Sequence, residues 1–160
     1  MSIPVTDSQG TKAYLVATGT TVTTAADIVT AIAAGKQIGC IQDIGDISTT
    51  RSVQSYSCLS SDEVAKSLGS LTLPSVDMSL LFDADDATGQ ADMRTMYANN
   101  ERRIMIIELN DQITPTTGNP TYITFEVALS KFGNSISKDN AVMQMATIEI
   151  CSAPVFVYAT

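Results

Sequence analysis

The sequence predicts a mainly β fold, a β-sandwich or barrel of two curled antiparallel sheets with one or two flanking helices. Short segments in which apolar and polar residues alternate recur along the chain, as at residues 76–83 and 122–129. Turn-rich loops such as residues 114–120 separate such segments, and only two segments carry helix-start signals. With no internal repeat or linker, residues 1–160 are expected to form a single domain.

The first part of the chain is predicted to contain an arm, a strand and a helix. Residues 1–12 are predicted to be an irregular N-terminal arm, because the proline, aspartate and glycine there disfavour regular structure. A short strand is predicted at residues 13–17. Thr24 and Asp27 have the spacing of a capping box, which predicts the start of a helix that Gly35 ends.

A polar segment follows a glycine-punctuated strand at residues 37–48. It spans roughly residues 49–68, is rich in serine near its start, and has no strong apolar face. We therefore predict an extended excursion away from the core. Val53, Tyr56 and Leu59 are its candidate apolar anchors for a contact with another subunit, and the alternative is a loose surface loop.

The second half of the chain is predicted to supply most of the strands. A strand with one buried face at residues 76–83 leads to Asp85 and Asp86, whose charges favour the start of a helix at residues 87–99. The remaining predicted strands are 103–109, 122–129, 141–151 and 154–158, and the residues 133–135 are predicted to end the strand before them.

The composition favours a surface that neighbouring subunits partly cover. Charged residues make up 16% of the chain, below the usual quarter, although a compact monomer with a Ser/Thr-rich surface would also fit. The net charge of −8 argues against sequence-specific nucleic-acid binding, because an acidic surface does not attract phosphates. No apolar run reaches the roughly 20 residues of a membrane helix and no signal peptide is recognisable, so we expect no membrane partner.

The residue types that catalysis or metal binding needs are missing or poorly placed. The chain has no histidine and no glycine-rich phosphate loop, so we predict that it is not an enzyme and uses no cofactor. Cys40, Cys58 and Cys151 form no paired motif and are predicted to be reduced thiols. The three aspartates within residues 83–86 could hold a cation, but the rest of a calcium loop does not match. We predict that they cap the following helix, and we assign no catalytic and no metal-binding residue.

Several segments follow one another in a characteristic order. They are IQDI at 41–44 leading to TTR at 49–51, SDEVAKSLG at 61–69, VDMSLLFD at 76–83, the helix at 89–98, the hydrophobic strand at 104–109 and IEICSAP at 148–154. This order, over roughly residues 36–158, resembles the tail-tube proteins of long-tailed bacteriophages, which are related in fold to type VI secretion tube proteins.

The resemblance implies a structural role. Tail-tube subunits form hexameric rings that stack into a hollow tube, so it implies copies of this chain as the main partner, with tape-measure and terminator proteins beside it. It implies that double-stranded DNA passes without specific binding, and a location in the virion tail after assembly in the host bacterial cytoplasm. Residues 49–68 would then make inter-ring contacts, and residues 1–12 would order only on assembly. The alternatives are a monomeric β-barrel that binds a small ligand, a tail terminator or a secretion tube protein.

If the chain forms such a tube, its channel is expected to be net negative. Basic side chains would bind the phosphates of passing DNA and slow it, whereas a like-charged wall repels them. The candidate lining residues are acids on or beside polar strand faces: Asp77, Asp83, Glu126 and Glu149. The alternative is that these acids are distributed for solubility alone.

Overall fold

The computed structural model describes residues 9–57, 59, 64–111 and 118–159, which form ten strands and two α-helices. The helices are α1 (Ala25–Ala34) and α2 (Gly89–Asn99). The strands are β1 (Lys12–Val16), β2 (Lys36–Ile38), β3 (Ile41–Ile44), β4 (Thr50–Ser57), β5 (Val64–Thr72), β6 (Ser75–Leu81), β7 (Arg103–Glu108), β8 (Tyr122–Ser135), β9 (Met143–Ile150) and β10 (Val155–Val157). The predicted mainly β fold with one or two flanking helices is confirmed, and the described residues contain two helices. Residues 1–8 of the predicted arm lie outside the described residues, and Lys12 already belongs to β1.

Eight of the strands form one antiparallel sheet, in the order β2-β1-β7-β8-β9-β6-β3, with β10 also pairing with β8. The second sheet is the hairpin of β4 and β5. In the larger sheet the two outermost strands, β2 and β3, are joined only by Gly39 and Cys40. Such a short connection requires the sheet to curl until its edges approach each other, so the large sheet has the shape of an incompletely closed barrel.

The long strand β8 holds the two halves of the curled sheet together. Its first half pairs with β7 on one side and β10 on the other, and its second half pairs with β9. The predicted break at residues 133–135 is wrong, because Gly133 pairs with Met145 and the ladder continues to Ser135. Cross-strand pairing therefore overrides the local preference of the glycine for a turn.

The inner face of the curled sheet forms the main hydrophobic core. Alternate residues of each strand point inward, and Met93 and Met96 of α2 pack into the same core. The fully buried members of this core include Ala13, Leu15, Met78, Leu80, Met105, Val127 and Ile148.

Helix α1 covers only part of the outer face. Ile28 and Ala31 pack on Tyr14 and Ile106, which belong to β1 and β7. The capping box predicted for this helix is confirmed, because Asp27 N donates to Thr24 Oγ1 at 3.2 Å and Thr24 N donates to Asp27 Oδ2 at 3.1 Å. Neither helix of the described chain packs on the outer faces of β3, β6 and β9 or on that of β8 from Glu126 onward.

Two buried polar side chains fix α2 to its neighbours. Gln90 Nε2 donates to the carbonyl oxygen of Leu81 at 2.8 Å, which ties the helix to the end of β6. Asp92, 8% exposed, lies 3.0 Å from Lys36 Nζ and 3.6 Å from Arg103 Nε. The side-chain amide of Gln90 and the carboxylate of Asp92 would be costly to bury alone, and these partners satisfy them.

The N-terminus of α2 is capped by Asp86, as the sequence predicts. Its Oδ1 accepts from Thr88 N and Gly89 N at 2.9 Å, and its Oδ2 accepts from Gln90 N at 3.1 Å. Burial of the carboxylate acts to raise the pKa of Asp86, but the hydrogen bonds from these residues outweigh it and hold the pKa below its ordinary value.

Replacing Asp86 with alanine is expected to lower the free energy of unfolding by about 1 kcal/mol at neutral pH, as for other lost caps. Because the folded-state pKa is lowered, the carboxylate stabilises the fold above its unfolded-state pKa, near about 4, and this contribution disappears as the pH falls through the folded-state value. Urea unfolding of unassembled wild type and variant, at neutral pH and near pH 2, measures the difference. A difference of equal size at both pH values would contradict capping by the ionised carboxylate.

Replacing Gly89 with alanine is expected to cost about 2–3 kcal/mol, because α2 begins directly against β2. A Cβ at this position would overlap the carbonyl oxygen of Gln37 and the Cα of Ile38, and backbone atoms cannot rotate away. Gly133→Ala is the matched control, since a Cβ there meets no atom within 4 Å. Equal unfolding midpoints for the two variants in urea would contradict the close approach.

Candidate functional site

The polar excursion is a β-hairpin that extends away from the barrel. Strands β4 and β5 pair with each other from Thr50–Thr72 to Ser57–Val64, and all eight residues of β4 are exposed. At about 3.3 Å per residue, β4 is roughly 26 Å long. Cys58 and residues 60–63, between the two strands in sequence, lie outside the described residues. Its base lies at the end of the barrel where β6 begins, because only residues 73 and 74 separate β5 from β6.

The predicted anchors of the hairpin do not share one face. Val53 and Tyr56, each 56% exposed, are an odd number of residues apart in a regular stretch of strand and so point to opposite faces. Leu59, in the turn, is fully exposed. The partner of Val53 across the ladder is Leu68, 69% exposed, which was not among the predicted anchors.

One face of the hairpin therefore carries an exposed apolar row. Val64 stands on the same side as Leu68, four residues before it, and Lys66 lies between the two. The alternation of residues 64, 66 and 68 is visible in the sequence, but which of them stand beside Val53 depends on the register of the hairpin. We call Val53, Val64, Lys66 and Leu68 the hairpin row.

The uncovered outer face of the barrel carries a diagonal of acids. Asp43 on β3 pairs with Ser79, which is two residues from Asp77 on the same strand, β6. Asp77 in turn pairs with Thr147, which is two residues from Glu149 on β9. Glu149 pairs with Ala128, two residues from Glu126 on β8. Diagonal neighbours of this kind stand about 7–8 Å apart on one face. We call Asp43, Asp77, Glu126 and Glu149 the acidic diagonal.

Hydroxyl groups and two cations accompany these acids. Asp77 Oδ1 accepts from Thr147 Oγ1 at 2.7 Å, and Glu149 Oε1 accepts from Ser130 Oγ at 2.6 Å. Arg102 NH1 lies 3.8 Å from Glu126 Oε1. Lys131 is opposite Thr147 on the same face. Four acids against two bases leave this surface negative.

The structure groups three of the four predicted channel residues and separates the fourth. Asp77, Glu126 and Glu149 belong to the acidic diagonal, and Asp43 joins them although it was not predicted. Asp83 lies after the end of β6, where its Oδ1 accepts from Asp85 N at 3.0 Å. The channel role of all four predicted residues stays a prediction, since a single subunit contains no channel.

A slot of about 560 Å³ opens at the seam of the barrel, beside β3. Ile44, Ile47, Ile107 and Leu109 line it, and the hydroxyl of Thr11 is buried there without a hydrogen-bond partner in the described part of the chain. A small-ligand barrel would instead hold its ligand in an apolar cavity at the centre. Here side chains such as Met78, Leu80 and Met105 occupy that centre.

The described residues contain neither a candidate membrane span nor a candidate metal site. Their two helices, α1 and α2, fall short of the length of a membrane-spanning helix. Nowhere in that part of the chain do three potential ligands among His, Cys, Asp and Glu come together to hold a metal ion.

The fold is similar to chains in solved structures of tail and injection particles. A chain of the six-fold symmetrised baseplate of the anti-feeding prophage is 11% identical, with a TM-score of 0.70 over 99% of this chain and 98% of that one. A chain of the tail of an empty gene transfer agent particle, refined with C6 symmetry, is 12% identical, with a TM-score of 0.66 over 96% and 99%. A chain of the SPP1 tail tube is 10% identical, with a TM-score of 0.62 over 96% and 80%.

These identities are low, so the similarity establishes the fold and not the role of individual residues. No protein-family model and no curated protein matches the sequence. The alignments with chains of the SPP1 tail tube, the gene transfer agent tail and a contractile injection system nevertheless cover 96–98% of this chain. The order of elements that suggested the resemblance in sequence is thus matched by the architecture, and the protein has a tail-tube fold.

Proposed function

We propose that this protein is a non-enzymatic structural subunit of a phage-type tail tube, in which hexameric rings stack around a channel for DNA. The observation that carries the proposal is the hairpin of β4 and β5, which a single subunit leaves exposed throughout β4. An isolated two-stranded hairpin is marginally stable in water. A neighbouring subunit that covers the hairpin would supply the missing packing.

The hairpin is therefore assigned to the contact between rings. Val53, Tyr56 and Leu59 would be its anchors, and Leu68 and Val64 add to the apolar surface. Because Val53 and Tyr56 face opposite ways, the hairpin could contact two different surfaces of its surroundings. Burying a side chain of the size of valine or leucine contributes about 1.5–3 kcal/mol, so a few such residues suffice for a stable contact.

A closed ring also solves the problem of the sheet edges. Among the described residues, strands β2 and β3 each pair on one side only, and free edges attract further strands. In a ring with rotational symmetry, each subunit covers the free edge of its neighbour, so no uncovered edge remains. Contacts between successive rings then extend the assembly as a filament. The six-fold symmetry stated for two of the similar particles supports six subunits per ring.

The acidic diagonal is assigned to the channel wall. It lies on the part of the outer sheet face that neither described helix covers, whereas α1 covers the part formed by β1 and β7. A ring of six subunits would present 24 acids of this diagonal, which repel the phosphates of passing DNA within a Debye length of about 8–10 Å. The net charge of −8 on each chain has the same sign.

This role implies further partners and a location. Tape-measure and terminator proteins would contact the tube inside and at its end, and double-stranded DNA would pass without specific binding. The tube would assemble in the cytoplasm of the host bacterium and remain in the virion tail. The location of similar chains in phage tail and gene transfer agent particles supports this assignment.

Electron microscopy of the purified protein tests the proposal. Rings with six-fold symmetry and stacks of such rings are expected as the protein concentration rises. A monomer at high concentration in every salt condition would contradict the tube and favour the monomeric β-barrel alternative.

A further inference from the structure

The end of the barrel opposite the hairpin carries a second exposed apolar surface. Phe82 N donates to the carbonyl oxygen of Val142 at 2.9 Å just beyond the ends of β6 and β9. Continuing the register of β8 with β9 by one step brings Ile136 opposite Val142. Ile136 is 78% exposed and Phe82 is 37% exposed. We call Phe82, Val142 and Ile136 the apolar ledge.

The ledge extends the inner face of the sheet past its core. Phe82, Val142 and Ile136 have the same parity as the core residues Leu80, Ala146 and Phe132 on their strands. Within the barrel α2 covers this face, where Tyr97 packs on Phe132 with ring centroids 6.1 Å apart. Beyond that contact, the exposure of Ile136 shows that no part of the described chain covers the ledge fully.

The ledge and the hairpin lie at opposite ends of the same strand. The hairpin joins the barrel at Ser75, the first residue of β6, and the ledge begins after Leu81, its last residue. Seven residues of strand span about 20–23 Å, so the two surfaces are separated by the length of the barrel. A contact between copies stacked head to tail joins opposite ends of this kind and repeats without closing.

Charges of opposite sign stand beside the two apolar surfaces. The strands of the hairpin carry two cations, Arg51 and Lys66, and Lys66 belongs to the hairpin row, whereas Asp62 and Glu63, between the strands in sequence, lie outside the described residues. Asp83 and Asp85 follow Phe82 within three residues, and Asp85 is exposed. The tip between β8 and β9 adds Lys138 and Asp139, which cancel. An apolar row with a cation thus has its counterpart in an apolar ledge with two carboxylates.

We propose that the apolar ledge is the docking surface for the hairpin row of a second copy of this chain in the next ring. Val53, Val64 and Leu68 would cover Phe82 and Ile136, and Lys66 would pair with Asp85. The inference rests on the proposed tube and names the surface that receives the hairpin in it.

Charge reversal at the two ends tests the docking. Lys66→Glu and Asp85→Lys are each expected to raise the protein concentration needed for tube growth by about tenfold or more. The binding energy lost at one ion pair is small, but the loss is repeated in every subunit of the contact between two rings. The double variant Lys66→Glu/Asp85→Lys restores opposite charges and is expected to recover most of this loss. Tube formation is measured by pelleting and electron microscopy over a concentration series.

Ile136→Asp supplies a second test that does not depend on the ion pair. Because Ile136 is 78% exposed in the subunit, its replacement should leave the fold intact and still prevent stacking. Val29→Asp on α1 is the matched control and should form tubes, because Val29 is 47% exposed and α1 packs on β1 and β7, not on the strands of the ledge. Normal tubes from Ile136→Asp, or a double charge variant no better than either single variant, would overturn the docking while leaving the tube itself standing. Failure of the wild type to form rings or tubes would instead contradict the proposed function.

Discussion

Aspartate in place of both Val53 and Leu68 is expected to yield a folded subunit that no longer forms tubes. The two side chains are paired across the hairpin and are 56% and 69% exposed, so the isolated subunit loses little by the change. In an inter-ring contact, each lost apolar side chain costs about 1.5–3 kcal/mol, and each buried unpaired carboxylate adds to that. The association constant of a single contact should fall by at least about 100-fold.

Sedimentation of the variant separates loss of stacking from loss of folding. Thermal unfolding of the unassembled subunit should match that of the wild type, while the pelleted fraction falls to the level of single rings or monomers. Tyr56→Asp, on the opposite face of the hairpin, shows whether the second face is also covered. If Val53→Asp/Leu68→Asp forms tubes of ordinary length, the hairpin row does not take part in the contact between rings.

Lysine in place of Asp77 and Glu149 is expected to make the tube hold DNA. Each subunit changes by four charges, which in a ring of six amounts to 24, and the wall changes from repelling phosphates to binding them. Binding should be strongly salt-dependent, with an affinity that falls by about 1,000-fold or more between roughly 50 and 200 mM salt. Co-sedimentation of short duplex DNA with assembled tubes measures this dependence.

Nuclease protection shows whether the DNA is inside the tube. Ala33→Lys/Ala34→Lys places two lysines on exposed positions of α1, outside the acidic diagonal, and DNA held by that variant should be digested. The neutral pair Asp77→Asn/Glu149→Gln distinguishes removal of repulsion from creation of binding. If DNA held by the lysine variant at Asp77 and Glu149 is digested as fast as DNA held by the α1 variant, the acidic diagonal faces outward and the channel assignment is wrong.

Local chemistry made several elements of this protein predictable. Alternation at residues 76–83 and 122–129 identified strands with one buried face, because side chains of a strand alternate between its two sides. Thr24, Asp27 and Asp86 identified helix starts, because their oxygens lie within reach of backbone N–H groups a few residues away. Each of these signals depends only on residues close together in sequence, so it can be recognised without knowledge of the fold.

Other features depend on contacts between distant residues. Gly133 reads as a strand break, but pairing with Met145 carries β8 past it. Gln90 and Asp92 look like ordinary polar residues of an exposed helix, yet both are buried because α2 packs against the strands of the barrel. Such positions are decided by what packs against them, which the local sequence does not encode.

Composition and local pattern were enough to predict a mainly β chain with one or two helices, an acidic charge, no histidine and one polar excursion. Which of these residues lie together depends on the pairing of distant strands. Asp43, Asp77, Glu126 and Glu149 are spread over more than 100 positions, and the register of four strands brings them onto one face. The register of a further ladder places Leu68 beside Val53. A shift of one residue in any of these ladders would turn a side chain to the other face, so long-range pairing sets both candidate surfaces.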